Sequence, residues 1–192
     1  MIRILSGFFV LWGALFLMPI RAHADSNYVF SCPESSIKGG IPYSVIGMYS
    51  SIYKECSGKI IFDDQSRQIK SVNFNIKTSS IESNCKWCDE IVRSNKVLDV
   101  TKYPAINFKS INLENKDGIS WVQGSFDLHG VTRNMRSSFE FTEDKNNTLL
   151  VSGVWKINRK DFNIIWNKLL DHGGILVGDF ITVNWQVKAY KV

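Results

Sequence analysis

The sequence predicts an all-β domain of about eight antiparallel strands closed into a barrel, with one short helix, behind an N-terminal signal peptide. Apolar and polar residues alternate strictly over 71–77 and 181–189, which indicates strands with one buried face. Turn residues such as His129 with Gly130 separate these stretches from similar ones. Closure into a barrel would remove the exposed edges of such a sheet.

Residues 1–24 have the pattern of an export signal. Arg3 provides a positive start, residues 4–20 are almost wholly apolar, and Ala22-His-Ala24 is a small-residue cleavage site. The apolar run is shorter than the roughly 20 residues that a spanning helix needs, which favours cleavage near Ala24 over a membrane anchor. We therefore expect a periplasmic or secreted mature chain, residues 25–192, that forms a single domain.

The elements can be placed in order along the mature chain. Strands are predicted where β-prone stretches are bounded by turn residues, over 28–32, 37–48, 52–62, 71–77, 106–113, 119–128, 131–141, 149–157 and 181–189. Helical spacing occurs over 87–98, where Asp89 and Glu90 lie near the start and suit the helix dipole. Pro104 requires the helix to end before it, near Asp99.

The charge pattern bears on the partners of the protein. The formal net charge of +5 falls to about +3 without Arg3 and Arg21, and the basic residues are scattered rather than clustered. A nucleic-acid site would need a basic stripe, so no nucleic-acid partner is expected. The mild positive excess would allow transient contact with an anionic membrane surface. A homodimer is conceivable, although no interface is indicated.

The inward faces of the strands are rich in large apolar side chains. An eight-stranded barrel is near the size at which the interior either fills with side chains or holds one small ligand. Taken alone, apolar strand faces favour a packed core over a cavity. The predicted inward set is Phe74, Phe108, Val122, Phe126, Leu128, Phe139, Trp155, Val183 and Trp185.

Four short motifs occur in a fixed order. They are Asp99-Val-Thr-Lys-Tyr-Pro-Ala-Ile-Asn-Phe-Lys-Ser110, Leu128-His-Gly-Val-Thr-Arg133, Asn158-Arg-Lys-Asp-Phe162 and Val177-Gly-Asp179, with Gly124 between the first two. In order and spacing the chain resembles the YceI-like family of exported, polyisoprenoid-binding proteins over residues 27–190. It departs from the family pattern at Asn134, where Pro is usual, and at Asn163, where Gly is usual. An Asp-x-His-Leu element of the helix region is also missing.

The resemblance implies a lipocalin-like barrel with an apolar tunnel that holds an isoprenoid lipid or quinone. It implies no catalytic residue, no metal and no cofactor other than this bound lipid. Arg159 is a possible headgroup contact, although a structural role in bracing its loop is favoured. The residues expected to contact the ligand are Phe74, Phe108, Phe126, Phe139, Trp155, Ile164, Trp166 and Trp185.

The cysteines allow two interpretations. Four remain in the mature chain, and an even number in an oxidising compartment favours structural disulfides. Of three possible pairings, Cys32 with Cys56 and Cys85 with Cys88 is preferred. The alternative is a redox-active pair at Cys85 and Cys88, although the adjacent Asp89 would disfavour a thiolate. A zinc site is disfavoured because export usually oxidises the thiols first.

The histidines do not indicate an active site. His129 precedes Gly130 at a strand-to-strand turn, and His172 lies in a glycine-containing loop, with no nucleophile at suitable spacing. The sequence thus favours a non-catalytic carrier or store for an amphiphilic isoprenoid, a quinone or polyprenyl lipid. Two alternatives stay open at this point: a periplasmic thiol-disulfide protein that uses the Cys85 and Cys88 pair, and a barrel-shaped interaction module with a filled interior.

Overall fold

The structure is a computed structural model that describes residues 25–43, 47–166 and 177–192. The predicted signal peptide and His172 lie outside these ranges. The strands are β1 Asp25–Ser31, β2 Ser36–Tyr43, β3 Gly47–Tyr53, β4 Cys56–Asp63, β5 Gln68–Lys77, β6 Ile81–Ser83, β7 Ala105–Lys116, β8 Ile119–Leu128, β9 Val131–Glu143, β10 Thr148–Asn158 and β11 Phe180–Lys191. One α-helix, α1, covers Lys86–Arg93, and 3₁₀ helices cover Cys32–Glu34, Thr78–Ser80 and Arg159–Phe162.

The strands form a closed antiparallel barrel. Its order is β1-β4-β5-β7-β8-β9-β10-β11, and pairing of β1 with β11 closes the ring of eight. The remaining strands extend this ring at one side, because β2 pairs with the first half of β11, and β3 and β6 follow outward. The eight-stranded barrel with one helix that the sequence predicts is therefore confirmed.

Two of the predicted strands are broken in the structure. The predicted strand 37–48 is divided between β2 and β3, and 52–62 is divided between β3 and β4 by residues 54–55. Between β3 and β4, the buried positions change from odd residue numbers, such as Ser51, to even residue numbers, such as Ile60. Alternation on each side of a break is regular, so the pattern alone did not separate the segments.

The helix is shorter than predicted. It ends at Arg93 rather than near Leu98, and Ser94 takes an extended conformation immediately after it. The Ser94 hydroxyl donates to the Ile91 carbonyl at 2.7 Å, so the side chain satisfies a backbone group at the helix end. Residues 95–98 continue as turns, and Leu98 is buried among the core side chains.

The two ends of the barrel carry different connections. The end that we call the closed end has the short turns at 64–67, 117–118 and 144–147. Its interior is filled by side chains that are 0–1% exposed, such as Tyr28, Phe62 and Leu149. The opposite end, which we call the open end, carries α1, the turn at 129–130, the 3₁₀ helix Arg159–Phe162 and residues 177–179.

Candidate ligand-binding site

The barrel contains an internal cavity of about 470 Å³, enclosed mainly by apolar side chains. This volume falls within the range of about 300–1,000 Å³ that is typical of small-molecule sites. The cavity walls come from strands around the barrel and from α1, whereas Tyr28, Phe62 and Leu149 at the closed end are not part of them. The interior of this barrel is therefore not filled completely by side chains.

The side chains that the sequence predicted as ligand contacts all line this cavity. Six of them lie on strands, and Ile164 and Trp166 follow the 3₁₀ helix at the open end. The strand residues are Phe74, Phe108, Phe126, Phe139, Trp155 and Trp185. These side chains lie in the cavity wall, and their contact with a ligand stays a prediction.

Trp155 is the centre of an aromatic cluster in the cavity wall. Its ring centroid lies 5.2 Å from Phe108, 5.3 Å from Phe126 and 5.8 Å from Phe74. Such tilted and edge-on packing is the favourable arrangement for aromatic rings. Trp185 lies on the neighbouring strand with its ring 6.4 Å from that of Trp155. The wall at mid-barrel is therefore built of rigid rings.

A glycine makes room for the Trp185 ring. Gly153 is directly opposite Trp185 in the β10–β11 register. A Cβ atom at Gly153 would lie 2.5 Å from the Trp185 ring, which is closer than packing allows. The indole therefore packs against the Gly153 backbone, and a side chain at this position would displace it.

Helix α1 covers the open end, a contribution that the sequence analysis missed. Trp87, Cys88, Ile91 and Val92 line the cavity from this helix. The spacing of Ile91 and Val92 predicts a helix, but nothing in the sequence indicates that the helix face with these two residues points into the barrel. Trp87 is also 61% exposed, so it lies where the cavity meets solvent.

A buried carboxylate anchors α1. Asp89 is 4% exposed and accepts hydrogen bonds from the Tyr49 hydroxyl at 2.8 Å, the Ser83 hydroxyl at 2.5 Å and the Ser83 backbone N–H at 2.9 Å. Burial alone would raise the pKa of Asp89, but the hydrogen bonds from Ser83 and Tyr49 outweigh it, so the pKa is lowered. Burial and the same contact raise the pKa of Tyr49 to about 12.

The two disulfides join the pairs that the sequence favoured. Cys32 with Cys56 links the 3₁₀ helix between β1 and β2 to the start of β4, where the long strands are broken. Cys85 with Cys88 closes a loop at the start of α1, and the Cys88 N–H donates to the Cys85 sulfur at 3.2 Å. The first crosslink therefore ties the β1–β2 connection to the barrel wall, and the second closes the first turn of α1.

Arg159 braces the open end. It is 2% exposed, and its guanidinium donates to the carbonyl oxygens of Gly178 at 2.8 Å, Ile164 at 2.6 Å and Val177 at 3.3 Å. Asp179 lies 3.8 Å away, and burial lowers the pKa of the guanidinium. This geometry matches the loop-bracing role, although Arg159 also lines the cavity.

His129 is a corner residue. It has a φ of 54° and is followed by Gly130 at 72°, which are the left-handed conformations of a tight hairpin turn. Its Nδ1 lies 3.1 Å from the Phe162 carbonyl oxygen, and its ring packs 4.3 Å from Tyr103. These contacts tie the turn to the 3₁₀ helix and leave the imidazole with a structural role.

The described residues contain neither a metal-binding cluster nor a membrane-spanning helix. Within 25–43, 47–166 and 177–192, no cluster of three or more His, Cys, Asp or Glu side chains has the geometry of a metal site. In the same part of the chain, no helix has the length and apolar character needed to cross a membrane.

A closed β-barrel with an apolar internal cavity defines a lipocalin-like class of ligand-binding protein. The family model for the YceI-like domain matches residues 28–189, and the chain belongs to this family. Among relatives, it is 31% identical over 126 residues to a UPF0312 protein of Shewanella denitrificans, covering 64% of this chain and 65% of that protein. A UPF0312 protein of Photorhabdus laumondii is 32% identical over 124 residues, or 63% of this chain and 64% of that protein.

Solved structures show the same fold. BcnA of Burkholderia cenocepacia has a TM-score of 0.73 at 18% identity, covering 83% of this chain and 98% of that one. A polyisoprenoid-binding domain of Saccharophagus degradans has a TM-score of 0.68 at 11% identity, covering 86% and 98%. A YCEI protein of Campylobacter jejuni has a TM-score of 0.63 at 21% identity, covering 74% and 84%. The barrel fold of this chain is therefore shared with these solved structures.

Proposed function

We propose that this protein binds an amphiphilic isoprenoid lipid, a quinone or polyprenyl lipid, in the barrel cavity and carries or stores it outside the cytoplasm without a catalytic step. The observation that carries the proposal is the apolar cavity of about 470 Å³, whose wall contains all seven aromatic side chains of the predicted contact set. The polyisoprenoid-binding domain of Saccharophagus degradans, which has the same fold, supports the class of ligand.

The energetics suit an oily tail. Each buried CH₂ group contributes about 0.8 kcal/mol, so a long apolar tail can bind strongly with few hydrogen bonds. The wall rings, held by packing such as that around Trp155, lose little entropy when a ligand enters. Removal of such a tail from water is a sufficient driving force for a carrier.

The proposed location outside the cytoplasm is supported by the two disulfides, which persist in oxidising compartments. Ligand exchange would take place at the open end. Trp87 and Ile165 there are 61% and 73% exposed, next to side chains that line the cavity. We propose that these two side chains contact the membrane surface transiently while the ligand enters or leaves.

The experiment is native mass spectrometry of the purified mature chain, combined with organic extraction. Near one prenyl lipid per chain is expected. Trp155→Glu should reduce lipid uptake about 100-fold or more, because an unpaired carboxylate in the apolar wall opposes ligand burial. Val154→Glu is the matched control. Val154 is adjacent to Trp155 in sequence, but its side chain is 56% exposed, whereas that of Trp155 is 7% exposed. A folded Trp155→Glu protein that takes up lipid normally would contradict the proposal.

A redox function is the second candidate. Cys85 is the N-cap of α1, and a helix start stabilises a thiolate. The reduction potential of the Cys85–Cys88 pair separates the two functions. A strongly reducing potential, typical of structural disulfides, excludes the redox candidate, whereas a potential near that of catalytic dithiols favours it.

A further inference from the structure

One side of the cavity wall carries three hydroxyl groups. Along β3, outward side chains such as Met48, which is 62% exposed, alternate with inward ones. The inward side chains are those of Tyr49, Ser51 and Tyr53, and all three line the cavity. They form a polar stripe in a wall that is otherwise mainly apolar, and we call these three residues the hydroxyl cluster.

The three hydroxyl groups lie close enough to influence one another. Burial and the hydrogen bond to Asp89 raise the pKa of Tyr49, and the neighbouring Ser51 hydroxyl partly offsets this rise. Burial, followed by the charge of Tyr49, raises the pKa of Tyr53. Gly39 faces Ser51 in the β2–β3 register, where a Cβ atom would lie 3.6 Å from the Ser51 oxygen. The position opposite Ser51 therefore places no side chain over this hydroxyl.

The Tyr53 hydroxyl is open to the cavity and has no partner in the described part of the chain. It makes no hydrogen bond there, yet it is not among the four unpaired side-chain atoms that are shielded from water. Tyr53 is only partly exposed and packs against the core, and burial is the main cause of its raised pKa. Because the oxygen is surrounded by protein and can still be reached, the space next to it is the cavity that Tyr53 lines. An unpaired hydroxyl at this place is available to a ligand.

We propose that the hydroxyl cluster binds the headgroup of the lipid, and that this headgroup is the hydroxyl group of a prenyl alcohol. The inference rests on the proposed lipid-binding function and makes it more specific. The Tyr53 hydroxyl donates to the oxygen of the ligand. Tyr49 already donates its own proton to Asp89 at 2.8 Å, so its oxygen is left as an acceptor for the O–H of the ligand. An alcohol makes both contacts, whereas a carbonyl or an ether makes only the first.

The charges around the hydroxyl cluster oppose an anionic headgroup. Burial would raise the pKa of Asp89, but the hydrogen bonds that it accepts outweigh burial, so the carboxylate bonded to Tyr49 stays ionised. A carboxylate or phosphate at the cluster would meet this like charge. Arg93 already offsets the charge of Asp89 and donates to the Ile81 carbonyl oxygen, so a second anion would add an unbalanced charge. Lys96 also lines the cavity but is exposed, so it marks the alternative position for an anionic headgroup.

The test uses four probes with the same geranylgeranyl chain: the alcohol, its methyl ether, the carboxylic acid and the hydrocarbon. Their affinities are measured for the lipid-extracted wild type and for Tyr53→Phe, which removes one hydroxyl group and keeps the ring. The ratio of alcohol to hydrocarbon affinity should fall about fivefold in this variant. Tyr28→Phe is the matched control, because the Tyr28 hydroxyl donates to Glu143 at 2.9 Å, outside the cavity lining. This control should leave the ratio unchanged.

A second comparison uses the wild type alone. The methyl ether is more apolar than the alcohol and needs no acceptor, so a cavity without the hydroxyl cluster would bind the ether more tightly. With Tyr49 as acceptor and Tyr53 as donor, the alcohol should bind at least as tightly as the ether.

The outcomes separate the headgroup site from the lipid-binding function. Binding of the uncharged probes with an unchanged ratio in Tyr53→Phe overturns the headgroup site and leaves lipid binding standing. A wild type that prefers the ether to the alcohol overturns the role of Tyr49 as acceptor, and with it the alcohol headgroup. An acid that binds as tightly as the alcohol at neutral pH would place the headgroup at Lys96 and overturn an uncharged headgroup. Failure of all four probes to bind overturns the lipid-binding function, and the headgroup site with it.

Discussion

The closed end and the open end of the barrel are built from the same eight strands but are covered in different ways. At the closed end, short turns bring side chains such as Phe62 and Leu149 into a fully packed cluster. At the open end, α1 and the loop after Phe162 lie over a cavity and are held by two buried charged groups, Asp89 and Arg159. Packing stabilises one end, and polar anchors position the other.

The barrel can be stable and hollow at once because its two ends are held by different interactions. Apolar contacts at the closed end require close packing, which leaves no room for a ligand. Hydrogen bonds from Arg159 and to Asp89 fix the backbone of the open end without filling the interior. Substitutions at the closed end should therefore affect folding, and substitutions at the open end should also affect ligand binding.

The largest expected effect is at the closed end. Phe62 is 1% exposed and packs edge-on against Tyr28 and Phe141 at 6.0 and 6.1 Å. Phe62→Ala should lower the free energy of unfolding by about 4 kcal/mol, because it leaves a void in a packed cluster. Lipid affinity of the folded variant should be unchanged. Denaturant unfolding and a binding titration check this, and a drop in affinity would show that the two ends are coupled.

The disulfides offer the next comparison. Cys32 and Cys56 are 24 residues apart, whereas Cys85 and Cys88 are separated by three. In the chain-entropy treatment, replacing the first pair by Ser should cost about 3.5 kcal/mol and the second about 2 kcal/mol. Lipid uptake should change more for the second pair, since Cys88 lines the cavity.

These double variants can be compared by denaturant unfolding and by lipid uptake under identical conditions. If the Cys85 and Cys88 variant left uptake unchanged while the Cys32 and Cys56 variant reduced it, the assignment of α1 as the cover of the cavity would be wrong.

Removal of the Arg159 brace should have an intermediate effect. Arg159→Met leaves the carbonyl oxygens of Ile164, Val177 and Gly178 without this donor and should cost about 3 kcal/mol. Arg159→Lys keeps the charge but not the planar fork, so it should recover only part of the loss. Amide hydrogen exchange should rise at residues 159–166 and stay unchanged at the closed end. Equal increases at both ends would contradict a local brace.

The smallest expected effect concerns the anchor of α1. Because the pKa of Asp89 is lowered in the folded protein, its contribution is present above the ordinary pKa of about 4 and is lost as pH falls through the lowered value. Asp89→Asn should cost about 1 kcal/mol at neutral pH and flatten the stability profile below about pH 4. Glu90→Gln, at an exposed neighbouring position, is the control. An unchanged acid profile in Asp89→Asn would remove this carboxylate as the acid-sensitive anchor.

One departure from the family pattern illustrates how local chemistry keeps a conformation. Asn163 stands where the YceI-like family usually has Gly, and it has a φ of 58° at the end of the 3₁₀ helix. Gly adopts this left-handed conformation without strain, and Asn is the side chain that most often replaces it. The substitution therefore keeps the turn that leads to Ile164 at the cavity.

The sequence predicted most of the barrel because strand alternation and turn chemistry are local. The alternation around Val183 and Trp185 and the turn at 129–130 appear in the structure where they were expected. The breaks between β2 and β3 and between β3 and β4 were missed. They depend on strand pairing, because β2 and β3 pair with each other, and the chain changes its partner from β6 to β1 between β3 and β4. Helix α1 was predicted five residues too long because Ser94 ends it through a side-chain contact.

Residue order and period are sufficient to predict the antiparallel barrel, its aromatic inward face and the family to which the chain belongs. The three-dimensional packing was needed to show that the interior is hollow, that α1 covers it and which carbonyl groups Arg159 braces. A cavity is a property of the space between eight strands. The size of that space depends on how side chains that are distant in sequence pack together, and a local sequence pattern contains no information about this packing.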